Sequence, residues 1–190
     1  MRSILSTCGL AVLLSLVALG IASAQEQRTK PPARVEVQTI AAKPEDVATL
    51  DGIMKAFYEV VSGPAGQPRQ WARDRSLYIS GIRFVATGVR KGNSKPYANV
   101  MDHQTFVDQS NDFLVRDGFY EREIHRVTRR FGNIAHIFST YETRRKADGP
   151  VTGRGVNSLE LFYDGTRWWI ASAIWDEERT DNPIPKELLP

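Results

Sequence analysis

The side chains that could do chemistry in this sequence cluster toward its C-terminal half. Asp176 is the one carboxylate expected on the core side of the last strand, two residues beyond Ile174. There it could act as a general base or anchor a ligand hydroxyl. The alternative is an ion pair with Arg126, or solvent at the strand end. Arg126, turned inward, could grip a ligand carboxylate with both arms of its guanidinium; its other reading is a structural partner of Asp176. Tyr58 and Tyr141 could donate hydrogen bonds to a ligand carbonyl, as the acid to the base of Asp176. Tyrosines of this kind also serve as amphipathic core residues. Asn157 and Ser172 are expected to oppose one another, lining a pocket mouth or satisfying each other. Trp168 shares their face, as a core anchor or as a platform for a flat ligand.

Other chemistries find little footing. His125 and His136 fall on neighbouring strands about 13 Å apart at the usual rise per residue, too far to share an ion. His103 belongs to another segment, so no metal site is expected. No phosphate-binding loop, dinucleotide fingerprint, nucleophile elbow or zinc-protease motif occurs, and no cofactor is expected. The formal charge of +3, from 25 basic and 22 acidic residues, falls short of a dedicated nucleic-acid binder. Arg129-Arg130 and Arg144-Arg145-Lys146, with Arg90, Lys91 and Lys95, could attract an anion. They could equally keep sheet edges charged against unwanted pairing.

These residues need elements to hold them. Residues 1–24 read as a signal peptide: Arg2, an apolar run from Gly9 to Ile21, and Ala22-Ser23-Ala24 as the cleavage site. That predicts an exported chain, periplasmic or secreted, with no membrane contact after cleavage. The only cysteine, Cys8, leaves with this segment. The remaining chain therefore has no disulfide and must be held by its core. Residues 25–43 read as a flexible tether, with a short edge strand at 35–40 as the competing reading. The domain proper is expected over 44–180, with a tail over 181–190.

Within that domain, apolar residues at helical spacing predict a helix over 44–61, opened by Pro44 and two acids. A short helix over 69–75 is anchored by Trp71, and a third is expected over 102–115. A strand is expected over 77–85, and 88–99 reads as a basic loop. Four long strands follow, over 119–131, 134–144, 156–163 and 166–177. Gly132-Asn133 and Asp164-Gly165 read as two-residue hairpin turns. Helices gathered ahead of an antiparallel sheet describe an α+β domain.

The turns set the registers, and the registers set the neighbours. With Asp164-Gly165 as the whole loop, Leu161 pairs with Trp168, Leu159 with Ile170 and Asn157 with Ser172. The core face then holds Leu159, Leu161, Trp168, Ile170 and Ile174, and turns polar at Asn157, Ser172 and Asp176. In the first hairpin, Arg126 falls opposite Ser139 on the inward face. Glu123 falls opposite Glu142 on the outward one.

The closing run GVNSLELFYDGTRWWIASAIWDEE, with Phe57-Tyr58 ending the first stripe and the early Trp71, resembles the nuclear transport factor 2-like (NTF2-like) superfamily. The likeness is closest to its SnoaL-like and DUF4440-like bacterial branch and covers about residues 44–178. It implies a cone-shaped α+β fold in which a curved antiparallel sheet wraps about three N-terminal helices around a pocket. It also implies homodimers packed through the sheet. The superfamily's known catalytic sets do not transfer residue by residue. Phe57 stands nearer than Tyr58 to the acid tyrosine position, and Ser80 or Gly81 stands where an aspartate base is expected. The expectation is therefore an exported, dimeric pocket protein for a small polar or anionic molecule. The alternative is an isomerase, dehydratase or hydrolase using Asp176 with Tyr58 or Tyr141.

Overall fold

The computed structural model describes residues 34–90, 92 and 95–190. The expected signal peptide and the first part of the tether lie outside these residues. Residues 34–43 are extended; Gln104 donates to the Val35 carbonyl at 2.8 Å, and Val35 and Val37 pack against the core.

The single helix expected over 44–61 is two: α1 (Pro44–Val47) and α2 (Leu50–Glu59). Thr49 interrupts them with an extended backbone and caps α2, its hydroxyl accepting from Gly52 N at 2.9 Å. α2 buries Ile53, Met54, Ala56 and Tyr58. Helix α3 (Trp71–Arg75) is anchored by Trp71, whose indole donates to Asn111 at 2.8 Å. The cap residue Asp102 opens α4 (His103–Asp117), accepting from Thr105 N at 2.7 Å. Asp74 ties these pieces together in the dry core. Tyr78 donates to one of its oxygens at 2.6 Å, and His103 Nε2 lies 2.8 Å from the other.

Six strands form one curved sheet: β1 (Tyr78–Val89), β2 (Pro96–Met101), β3 (Tyr120–Phe131), β4 (Ile134–Arg144), β5 (Val151–Tyr163) and β6 (Trp168–Glu177). Their order is β2-β1-β6-β5-β4-β3, antiparallel except for the parallel β1–β6 pair. The basic loop expected over 88–99 is corrected. β1 runs on to Val89 and β2 starts at Pro96 and folds back along it, pairing Gly88 with Tyr97, so most of the expected loop is strand.

Three irregularities, one turn and two bulges, decide which side chains face inward. The second hairpin has a four-residue turn, not two. Asp164 Oδ1 accepts from the backbone N of Thr166 and Arg167 at 2.8 and 2.9 Å, and Tyr163 pairs with Trp168. The carboxylate nucleates a wider turn than Asp-Gly alone would make. A β-bulge at Ala171 then shifts the register between Leu161↔Ile170 and Glu160↔Ser172. An extra residue reverses the alternation beyond it. Trp168 and Ile170 stay inward, but Ala173, Trp175 and Glu177 follow them. Ser172, Ile174 and Asp176 turn outward, against expectation, and Ile174 is 41% exposed. In the first hairpin the expected register holds from Phe131↔Ile134 to Arg126↔Ser139. A second bulge, at Ile124, places Glu123 opposite Tyr141 and Glu121 opposite Thr143, so both acids turn inward.

The outer face of the sheet is partly covered by the chain's own C-terminus. Thr140, fully buried, donates its hydroxyl to the Leu188 carbonyl, and Ile184 is also buried. Phe138 and Phe162 stay exposed on that face.

Candidate functional site

Between the inner face of the sheet and α4 lies a cavity of about 370 Å³. Phe57, Phe84, Phe106, Phe113, Phe119 and Trp175 make its walls mostly aromatic. Its polar groups are few: Glu121 from β3, Tyr141 from β4, Asn157 from β5, Glu177 from β6 and Ser110 from α4, with Arg145 and Arg154 at the rim. A mostly apolar wall with a few convergent polar groups is the usual build of a small-molecule site.

Glu121 is the most perturbed of these. It is half-buried and borders both this cavity and a second recess under α2. Burial, with the nearby charge of Glu177 adding to it, pushes its carboxyl up to about 8. Among the described residues its carboxyl makes no hydrogen bond or ion pair, and neither does that of Glu177. Tyr141 is 5% exposed, and its hydroxyl also lacks a partner there. Burial holds that phenol well above its ordinary value. Its ring lies across the glycine opposite it: a Cβ on Gly155 would fall 2.4 Å from the Tyr141 hydroxyl oxygen and 2.6 Å from the Asp176 carbonyl. The rim arginines are already engaged. Arg154 pairs with Glu178 at 2.8 Å, and Arg145 lies 3.8 Å from Asp117.

Tyr58 belongs to a different assembly. Asn157 Nδ2 donates to its hydroxyl at 3.1 Å, and the hydroxyl lies 2.6 Å from Ser139 Oγ. Ser139 in turn donates to Glu123 Oε1 through a short contact. A carboxylate only accepts, so Tyr58 donates to Ser139. The Arg126 guanidinium meets Glu123 at 2.5–3.0 Å and the exposed Asp51 at 2.7 Å. This chain of bonds runs from Asn157 at the cavity to solvent at Asp51, beside a second recess of about 360 Å³ under α2. Both hydroxyls and all three guanidinium nitrogens in it have a partner.

The sequence candidates therefore separate. Tyr141 and Asn157 line the cavity. Arg126 faces inward as expected but lies in the second recess, held by two carboxylates. Asp176 is on the outer face, paired with Arg179 at 2.5 Å. It neither meets Arg126 nor reaches the cavity. Ser172 pairs with Glu160 on the outer face, not with Asn157. Trp168 is buried in the core with the Arg130 guanidinium over its ring at 4.9 Å. Glu121 and Glu177 went unread in the sequence because each lies beyond a bulge. The available signal was compositional: Glu121 and Glu123 sit two apart on one side of a strand that begins Phe119-Tyr120.

No family model matches the chain, and no curated protein matches it. Solved structures do. A protein of unknown function with a cystatin-like fold from Nostoc punctiforme matches at a TM-score of 0.51 and 8% identity, over 74% of this chain and 97% of that one. An NTF2-like protein of unknown function from Silicibacter pomeroyi matches at 0.42 and 13%, over 68% and 92%. LinA matches at 0.47 and 10%, over 70% and 84%. At 8% identity the likeness to the Nostoc punctiforme structure is one of fold alone, a fold described there as cystatin-like.

Proposed function

We propose that this chain is a pocket protein that holds a small, largely apolar molecule with one polar group in the cavity under its sheet. The observation that carries the reading is the Tyr141 hydroxyl and the Glu121 carboxyl, both lining an aromatic cavity and both without a partner among the described residues. Such groups are free to bond to a ligand at no cost to the protein's own hydrogen bonds. The expected anionic ligand loses its support, because Arg126 is already neutralised by Glu123 and Asp51 and lies in the other recess. Export and pairing belong to the same proposal. Phe138 and Phe162 offer an apolar strip for a second copy, whereas Trp175 lines the cavity. Native mass spectrometry of protein taken from its own compartment tests the pocket. A small molecule should be retained, and lost in Ser110→Trp, which fills the cavity. An adduct that survives the filling substitution would place the ligand elsewhere.

A second reading keeps the enzyme alternative but moves it from Asp176 to Glu121. A carboxyl held up to about 8 is protonated near neutral pH, the state a general acid needs. Tyr141 beside it is a neutral donor. In this reading Glu121→Gln abolishes turnover while leaving ligand binding in place, and Asp176→Asn changes neither.

A further inference from the structure

We infer that the ligand is a hydrophobic amine, bound as its cation with the ammonium group against Glu121 and the hydrocarbon among the rings. The inference rests on the pocket reading above and names the charge of its occupant. The sign of the cavity carries it. The carboxylates of Glu121 and Glu177 reach this space from β3 and β6. Among the described residues neither has an ion pair. The two arginines at the rim are turned to Glu178 and Asp117. The arginine of the neighbouring recess is held by Glu123 and Asp51. The cavity thus offers one partly buried carboxyl, Glu121, without an ion pair among the described residues, while Glu177 lies exposed at its edge within the field of Arg179.

Each ligand class meets that interior differently. An anion would gain at most a hydrogen bond from the protonated Glu121 and would be repelled by the charge of Glu177. A neutral molecule could accept from Tyr141 or from the protonated Glu121 but would gain no charge-assisted contact. A cation supplies the counter-charge and lets Glu121 ionise as an ion pair. It also gains from the negative faces of the surrounding rings, an attraction that strengthens where water is excluded. Phe57, Phe106, Phe119 and Trp175 are the rings in question. Tyr141 adds a hydroxyl oxygen that can accept from the ammonium, and Gly155 keeps the space in which that hydroxyl lies.

The test uses three probes of one shape and three charges: tryptamine, tryptophol and indole-3-propionate, titrated calorimetrically into the full-length mature protein at pH 7. Tryptamine should bind about tenfold or more tighter than tryptophol, as one well-placed charge-assisted contact of about 1.4 kcal/mol implies. Indole-3-propionate should not bind. Glu121→Gln should bring tryptamine down to the level of tryptophol while tryptophol binding persists, which also shows that the variant is folded. Glu177→Gln, at the more open end, should reduce the preference by a smaller factor. If tryptophol binds as tightly as tryptamine, or the acid binds best, the amine inference falls and the pocket reading stands. If none of the three binds, and Ser110→Trp changes no retained adduct, both fall together.

Discussion

The inner face of one sheet holds two polar assemblies built from the same residue types. Under α2, Tyr58, Ser139, Glu123 and Arg126 form a closed set in which each donor meets an acceptor. A few residues along the same strands, Tyr141 and Glu121 face a cavity and meet nothing. Tyr141 and Glu123 are even cross-strand partners, one in each assembly. Residue type therefore does not distinguish structural from functional roles here. Satisfaction does: a completed network specifies packing, whereas an incomplete one lining a cavity leaves room for a ligand to complete it.

The largest expected contrast comes from breaking the closed set. Glu123→Ala leaves the Arg126 guanidinium with only the exposed Asp51 and leaves Ser139 without its acceptor. Removing one partner of a largely buried pair should lower stability by about 3 kcal/mol, read by urea denaturation. A loss below about 1 kcal/mol would show that the network is no tighter than a surface ion pair.

The open assembly should respond in the opposite direction. The carboxyl of Glu121 titrates near 8 in the folded chain against an ordinary 4.5. The folded state thus holds this proton more tightly than the unfolded one. Its contribution to stability is full below about pH 4.5, declines as pH rises, and is gone above about 8. Glu121→Gln carries no such titration. The variant should match the parent near pH 4 and exceed it by about 2 kcal/mol at pH 9, allowing for water in the cavity. Parallel stability–pH curves for the two proteins would mean that Glu121 is ionised and compensated in the folded chain.

Much of this geometry was legible from the sequence up to two points, Ile124 and Ala171. The strand bounds of β4, the first turn and the pairing of Arg126 with Ser139 follow from alternation and a Gly-Asn turn, which are local signals. The split of the first helix at Thr49 has a local cause too, a capping hydroxyl that alternation of apolar residues conceals. The bulges are different. A bulge is one residue long, costs little by itself and is placed by what packs beyond it. Its effect is to reverse every later side chain, which is why Asp176 read as inward and Glu177 did not. Asp164 adds a further shift by closing a four-residue turn with its own carboxylate. The fold tolerates such slips in prediction; a site does not, because a single reversal exchanges its residues for their neighbours.

A smaller effect is expected at the tyrosine of the closed set. Tyr58→Phe removes a hydroxyl that accepts from Asn157 and donates to Ser139. Both are buried and neither gains a substitute, so the loss should be about 1–2 kcal/mol. Thermal unfolding at fixed pH measures it. A neutral result would imply that Asn157 and Ser139 find water or each other, and that the set is looser than its distances suggest.

The smallest effect is the most informative. Tyr141→Phe removes the same atom from the same kind of ring, 95% buried, on β4 rather than α2. Because that hydroxyl has no partner among the described residues, its removal forfeits no hydrogen bond within the protein. It also takes an unsatisfied dipole out of an apolar wall, a change that costs nothing and can stabilise. The ligand-free variant should therefore unfold within about 0.5 kcal/mol of the parent, on either side of it. The hydroxyl also lies against Gly155, where a missing oxygen relieves rather than creates crowding. If the pocket reading is right, the cost reappears with the occupant present: ligand-induced thermal stabilisation should shrink in Tyr141→Phe and stay unchanged in Tyr58→Phe. Equal losses for the two variants without ligand would mean that the Tyr141 hydroxyl is already satisfied, and the contrast between the two assemblies would disappear.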